Sequence, residues 1–382
     1  NFNLTMVDDT HIYVGDHTMP GPNVIIAAGS HPVFPSLREQ EYQFNMPVHV
    51  GKNCWIGAGA ILLPGVTVGA NTVIGAGSVG STIAYTMAVN GIATEVVMID
   101  INESKSLGEA LDIRQGVAFC PPISIYAGSY QDAKDSDIVI LTSGVARKPG
   151  QSRLDLAQTN VNITKSIIPE ITRYAPNAIY IIVANPVDIL TYTFHKVSGL
   201  PENQILGSGT ILDTARLRAR LAEYFSINLG NVHAYVYGEH GDSSFVPWSL
   251  GTIANIPIDK YRDYLIDANK NMIPELNHDE VETYIRKSGG KIIARKGATF
   301  YAAAVSVCHI VKCIFSGADT SMTVSTMHHG EYGLEDICLS TLAIVGPDGV
   351  SGKLVSPLTD HEMELLHKSA DSLRTVMNGL TF

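Results

Sequence analysis

The stretch Asn71-Thr72-Val73-Ile74-Gly75-Ala76-Gly77-Ser78-Val79-Gly80 decides how this chain is read, because two unrelated patterns claim it. Upstream, apolar residues recur every sixth position, at Val50, Ile56, Leu62, Val68 and Ile74, and Gly follows four of the five. That period suits a parallel β-helix, in which each hexad is one short strand plus a turn and the coils stack into a core. Downstream, Gly75-x-Gly77-x-x-Gly80 opens a strand–helix alternation that runs to the C-terminus. Glycines in that arrangement let backbone N–H groups approach a pyrophosphate at a helix N-terminus. The longer downstream part is the working protein on this reading.

Working outward from the glycines, Thr72-Val73-Ile74 is a short buried-strand signal. The following helix carries Val79, Ile83 and Met87 on one face and stops at Asn90-Gly91. Residues 95–99 form the next apolar strand, which ends at Asp100, twenty residues past Gly80. A carboxylate there accepts hydrogen bonds from adenine-ribose hydroxyls. Ile101 follows where an arginine would favour a 2′-phosphate, so the expected cofactor is NAD rather than NADP. Further apolar strands at 138–141 and 178–183 each precede a βα loop, as a doubly wound parallel sheet requires. The expected class is therefore α/β. A β-helix fragment (1–74), left-handed, precedes a Rossmann-type NAD-binding domain (72–216) and an α+β substrate domain (217–382). Asn71 is polar where the first strand should be buried, which counts against that strand's start.

Composition narrows the partners. The 382 residues are 45% hydrophobic and 16% charged, with a net charge of −11, which speaks against nucleic acid or an anionic membrane surface. Five cysteines without a C-x-x-C pair read as thiols in a reducing, cytoplasmic setting, with no zinc site or disulfide framework. The longest apolar runs, such as 178–184, are strand-length and too short to span a membrane. The chain begins at Asn1 without methionine and reads as a fragment, so a signal peptide is neither seen nor excluded.

The chemistry lies past the midpoint. Gly238-Glu239-His240-Gly241-Asp242-Ser243 places one histidine among small and acidic residues on a turn. Asp213 sits in Ile211-Leu212-Asp213-Thr214-Ala215-Arg216-Leu217-Arg218, a helical string. Moving a hydride to or from a carbinol carbon needs a group that exchanges the hydroxyl proton, and histidine titrates in the right range. A neighbouring carboxylate fixes its tautomer and stabilises the imidazolium. A substrate carboxylate calls for a bidentate guanidinium, and a developing alkoxide for a second cation.

These strings resemble the L-lactate/malate dehydrogenase family over residues 71–382. The resemblance implies that His240 is the acid/base and Asp213 its partner. Arg216 would clamp the substrate carboxylate, and Arg153, in Lys148-Pro149-Gly150-Gln151-Ser152-Arg153, would polarise the carbonyl from a closing loop. Asn185, in Ala184-Asn185-Pro186-Val187-Asp188, would touch nicotinamide and substrate. Gly75, Gly77, Gly80 and Asp100 would hold NAD. The discriminating position is Arg147: glutamine there goes with lactate, and arginine with malate, whose second carboxylate it pairs. Thr299 and the wording of 213–218 match the lactate enzymes instead. Arg218 and His233 match the pair that binds fructose 1,6-bisphosphate at a subunit interface in allosteric bacterial lactate dehydrogenases. Breadth of resemblance favours L-lactate dehydrogenase, a cytoplasmic enzyme of fermentative glycolysis and by resemblance a tetramer. Malate dehydrogenase is the alternative.

The upstream part resembles the hexapeptide-repeat acetyltransferases of maltose and galactoside type. The matching strings are Gly15-Asp16-His17-Thr18-Met19, Gly21-Pro22-Asn23-Val24, His31-Pro32, Trp55-Ile56-Gly57-Ala58-Gly59-Ala60 and Leu63-Pro64-Gly65-Val66. His31 matches that family's base, here read as a vestige. The family's N-terminal cap is missing, as is the last segment that helps hold acetyl-CoA. Three readings follow: a dehydrogenase with a vestigial extension, a fusion that keeps acetyl transfer, or two genes misjoined at their shared string. The resemblances imply a trimer for the β-helix part and a dimer of dimers for the dehydrogenase part, and a three-fold and a D₂ assembly cannot both close through one short shared element without open polymers.

Overall fold

The contested string belongs to the downstream fold. The computed structural model describes all residues except 1, 33–34, 52–53, 66, 69–70, 146–152 and 267–274, together with the side chains of 67, 68 and 153. In it Asn71–Gly75 is a strand between Glu95–Ile99 and Ile138–Leu141, parallel to both. Ile74 stands opposite Met98 on one side and Ile140 on the other. Asn71 does not weaken the strand, because it sits half-buried at the entry. Its N–H donates to Asp137 Oδ2 at 3.0 Å, and its carbonyl accepts the Asp137 N–H at 3.0 Å.

Six parallel strands run in the order Ser124–Ala127, Glu95–Ile99, Asn71–Gly75, Ile138–Leu141, Ile179–Ile182, Ile205–Gly207. Strand order reverses between Asn71–Gly75 and Ile138–Leu141, which opens a crevice beyond their C-terminal ends. These strands read as nearly continuous apolar runs because both faces are covered. Ile74, Met98, Ile140 and Ile181 pack against Ile83 and Met87 of helix Ser78–Asn90 and against Val307 and Val311 of helix Tyr301–Ser316. Val73, Val97, Val139 and Tyr180 pack against Val161 and Ile168 of helix Arg153–Tyr174, with Leu190, Phe194 and Leu366. The helix after the glycines ends at Gly91, which takes the left-handed conformation (φ 60°) of a C-terminal cap.

The sheet does not stop at the sixth strand. Thr320–His329 joins it antiparallel at Gly207↔Ser325, and Glu335–Gly346 and Gly349–Lys353 complete nine strands. A separate core of Leu217, Leu221, Phe225, Ile253, Val281 and Ile285 joins helix Ile211–Phe225 to helix His278–Lys296 and a small antiparallel sheet.

The residues before 71 form three short parallel faces. Thr5–Val7 pairs with Ile25–Ala27, which pairs with Ile61–Leu62; Ile12–Val14 pairs with Val48–Val50, which pairs with Thr67–Val68; Met19–Pro20 pairs with Trp55–Ile56. Their core is Val24, Ile26, Ala28, Val48, Val50, Cys54 and Ile56. The repeat is interrupted where Gly29–Ser30 turns back to pair antiparallel with Phe44–Asn45. Val14 stands opposite Val50 in this pairing but is 39% exposed, while Ile12 packs against the coil core. The third face receives no rung from Val73-Ile74, since those residues pair in the large sheet. The coil meets the downstream α/β body at His49, whose ring would lie 1.7 Å from a Cβ on Gly317.

Candidate functional site

Read along the sheet, the chemistry-bearing residues follow the C-terminal ends of neighbouring parallel strands. Asp100 follows 95–99, Gly77 follows 71–75, Thr142 follows 138–141, Asn185 follows 179–182, and Asp213 lies in the helix after 205–207. A parallel sheet of this order gathers such loops on one edge.

The three glycines differ in what requires them. A Cβ on Gly80 would stand 1.7 Å from the Gly75 carbonyl oxygen, so this glycine lets helix and strand touch. One on Gly75 would stand 2.6 Å from Thr142 Oγ1 after the neighbouring strand, so that glycine leaves room for Thr142. Gly77 caps helix Ser78–Asn90, has no side-chain cap, and faces open space. The helix N-terminus is thus bare where an anion can approach its N–H groups. Thr142 Oγ1 is buried beside this turn without a hydrogen-bond partner among the described residues, a donor left for a ligand. Asp100 Oδ1 accepts the Asn102 N–H at 3.0 Å, which fixes the carboxylate at the strand end. Together these features fit a dinucleotide. Thr142 was not singled out from the sequence, because nothing local marks a threonine as unpaired.

Asn185 is exposed beside its cis peptide bond to Pro186. Its carbonyl accepts from Asn160 Nδ2 at 2.7 Å, and Asn160 also bonds the backbone of Val145 at 2.9 and 3.2 Å.

His240 and Asp213 come together. Their Nδ1 and Oδ2 are 2.6 Å apart, with the carboxylate 8% and the imidazole 24% exposed. An ionised carboxylate only accepts, so Nδ1 carries a proton and Nε2 is left to give or take one. The second oxygen of Asp213 accepts from Arg216 Nη1 at 2.8 Å, one helical turn on. Burial pulls the His240 ring down, but the Asp213 charge and hydrogen bond outweigh it and leave it above the ordinary histidine value. Burial pushes Asp213 up, and His240 and Arg216 pull it further the other way, so its carboxyl stays below the usual aspartate value.

The turn carrying His240 is held from three sides. Gly238 exchanges backbone bonds with Ser340 at 2.9 and 3.1 Å. Its φ of 92° and the Ser369 hydroxyl 2.6 Å from a would-be Cβ admit only glycine there. The Glu239 N–H donates to Ser369 Oγ at 2.8 Å, and the His240 N–H donates to Asp188 Oδ2 at 2.8 Å.

Thr299 follows helix His278–Lys296, whose Gly289 faces Arg216: a Cβ there would lie 3.8 Å from Nη2. Arg218 donates from Nε to the Ala234 carbonyl at 3.0 Å and lies 5.2 Å from the Tyr235 ring, next to the exposed His233. His31 is exposed in the interrupted stretch, its Nδ1 3.2 Å from the Tyr42 carbonyl. Arg147 and the side chain of Arg153 lie outside the described residues; Arg153 opens helix Arg153–Tyr174. No described helix is long and apolar enough to cross a membrane.

Comparison with known proteins agrees with this geometry. The model of the lactate/malate dehydrogenase NAD-binding domain matches residues 71–207, and that of its α/β C-terminal domain matches 210–381. A bacterial transferase hexapeptide model matches 47–79, so two families overlap on the contested string. An L-lactate dehydrogenase of Acetivibrio thermocellus is 44% identical over 309 residues, 81% of this chain and 96% of that protein. One of Clostridium botulinum is 43% identical over 310 residues, with the same coverages. Among solved structures, a lactate dehydrogenase from a deep-sea metagenome library superposes with a TM-score of 0.77 at 35% identity, covering 83% of this chain and all of that one (100%). The minor L-lactate dehydrogenase of Enterococcus mundtii gives 0.76 at 37%, covering 83% and 100%.

Proposed function

The chain belongs to the lactate/malate dehydrogenase family, and from that premise we infer that it is an NAD-dependent L-lactate dehydrogenase, reducing pyruvate with NADH to L-lactate. The observation that carries the reading is the Asp213 carboxylate, which bonds His240 with one oxygen and Arg216 with the other. One group thereby sets the tautomer of a proton donor and the position of a cation.

Bound NADH supplies the hydride that adds to the keto carbon. His240 gives its Nε2 proton to the carbonyl oxygen, and Asp213 stabilises the imidazolium before that transfer. With Nη1 held by Asp213, Arg216 offers the other edge of its guanidinium to the substrate carboxylate. Arg153 polarises the carbonyl, while Asn185 and Thr299 line the substrate. The glycine turn takes the pyrophosphate and Asp100 the ribose. The adjoining ends of the two family matches, at 207 and 210, support a division close to the expected 216 between cofactor and substrate parts.

Arg147 is the observation that favours malate as a second reading, since an unpaired cation in a closed site costs several kcal/mol. Arg218 and His233 form a candidate site for fructose 1,6-bisphosphate in a homo-oligomer, and five cysteines with no disulfide among the described residues agree with a cytoplasmic setting. His31 is a vestige on this reading. The test is NADH oxidation by the full chain with pyruvate or oxaloacetate: turnover with either that disappears in His240→Ala supports it, and turnover surviving in that variant refutes the assignment.

A further inference from the structure

We propose that Asp188 is a second positioning carboxylate for His240, anchoring the turn that carries it and raising the ring's proton affinity by its charge. The inference rests on reading His240 as the acid/base.

Asp188 lies in the first turn of helix Val187–Ser198 and is 2% exposed. Its Oδ2 accepts the His240 backbone N–H at 2.8 Å, and its Oδ1 accepts the Ser325 hydroxyl at 2.6 Å. Asp213 therefore holds the ring of His240 while Asp188, from a different helix, holds its backbone. A neutral amide could satisfy both of those donors, so the hydrogen bonds alone do not call for a carboxylate. A charge buried this deeply is costly unless another charge faces it. The cation that bears on Asp188 is the His240 imidazolium, opposed by Glu239 in the same turn.

Coupling runs both ways. Burial pushes the Asp188 carboxyl up to about 6, with the Ser325 and His240 hydrogen bonds partly offsetting it. A protonated ring favours ionised Asp188, and ionised Asp188 favours a protonated ring. The groups facing His240 are Asp213 and Arg216 from helix Ile211–Phe225 and Asp188 from helix Val187–Ser198. Those facing Asp188 are Ser325 from Thr320–His329, the Cys338 thiol from Glu335–Gly346, and Glu239.

The experiment is the pH dependence of kcat/KM for pyruvate reduction by the full chain, for wild type, Asp188→Asn and Ser325→Ala, with His240→Ala as control. Reduction needs the protonated ring, so activity falls as pH rises through the ring's pKa. In Asp188→Asn the amide oxygen still accepts the His240 N–H and the amide N–H₂ can donate to Ser325 Oγ, so chiefly the charge is removed. The midpoint should move down by on the order of one pH unit. Ser325→Ala removes a donor that favours ionised Asp188, and should shift the midpoint the same way by less. An unshifted midpoint in Asp188→Asn, whatever its activity, reduces Asp188 to a loop anchor and overturns the proposal. If that variant does not fold, an unshifted midpoint in Ser325→Ala does the same. Turnover persisting in His240→Ala would instead overturn the reading of His240 itself.

Discussion

Nδ1 of His240 and Oδ2 of Asp213 stand 2.6 Å apart, although 27 positions separate the residues in the chain. Asp213→Asn keeps the size of the side chain but lets its amide face the ring with a donor, which disfavours the productive tautomer. For the proposed acid/base, kcat should fall on the order of 10²–10⁴-fold while NADH binding, measured by fluorescence, stays near wild type. Loss of NADH binding in parallel would point to a structural role instead.

The same pair fixes a pH window for stability. His240 is raised in the folded state, so its contribution is fully present below the ordinary value of 6.5 and is lost as pH rises through the folded pKa. Asp213 is lowered, so its contribution is present above 3.8 and is lost as pH falls through its folded pKa. Between those limits both act. The Tm difference between wild type and His240→Ala should therefore be largest near pH 5 and shrink at both ends. A difference that grows steadily towards alkaline pH would contradict this assignment.

Gly80→Ala should be among the most damaging single-methyl changes, since the new Cβ would meet the Gly75 carbonyl at 1.7 Å. That oxygen belongs to backbone and cannot swing away. The helix must lift from the strand, and soluble yield and NADH affinity should drop together. Gly77→Ala meets no neighbour within 4 Å, so it should fold normally and lose affinity only through contact with the bound cofactor.

Asp100 ends its strand with one oxygen on the Asn102 N–H. Its charge should repel a 2′-phosphate, so the chain should use NADH far better than NADPH. Asp100→Ser should narrow the kcat/KM ratio by about tenfold or more, roughly 1.4 kcal/mol of differential binding. A ratio that does not move would take cofactor selection away from this residue.

What the sequence made legible was local. The Val79, Ile83, Met87 spacing, the stop at Gly91, and the acid at 100 each lie within a few turns of the glycines, and local chemistry alone predicts them. The roll-call of site residues followed from resemblance, and the structure brings His240, Asp213 and Arg216 into contact. The Asp188–His240 bond and its support by Ser325 were not legible, because partners 52 and 137 positions away carry no periodic signature. Nor was the joining of Thr320–His329 to the parallel sheet, which depends on one pairing at Gly207. The contest over Ile74 was visible, yet only its neighbours Met98 and Ile140 decide it.

The coil has its own small core and joins the chain where strand Asn71–Gly75 begins, the end opposite the glycine turn. Deleting residues 1–66 should therefore leave kcat/KM for the keto acid within about tenfold of the full chain. Acetyl transfer from acetyl-CoA to maltose or a galactoside should be undetectable in either form, since Val73-Ile74 is committed to the dehydrogenase sheet. Robust acetylation that disappears in His31→Ala would make the protein bifunctional.

Arg147→Gln is the change that separates the two keto acids. If Arg147 points into the closed site, it pairs the second carboxylate of oxaloacetate, whereas pyruvate leaves it buried and unpaired, which is costly. Glutamine removes that penalty and the dicarboxylate's partner together. The kcat/KM for pyruvate relative to oxaloacetate should then rise at least about tenfold, roughly 1.4 kcal/mol of differential transition-state binding. If Arg147 instead turns to solvent when the site closes, wild type should already prefer pyruvate, and the ratio should stay put. Both substrates measured on both proteins separate these outcomes. A pyruvate preference unchanged by the substitution would move specificity to another position, with Thr299 beside helix His278–Lys296 the next to vary.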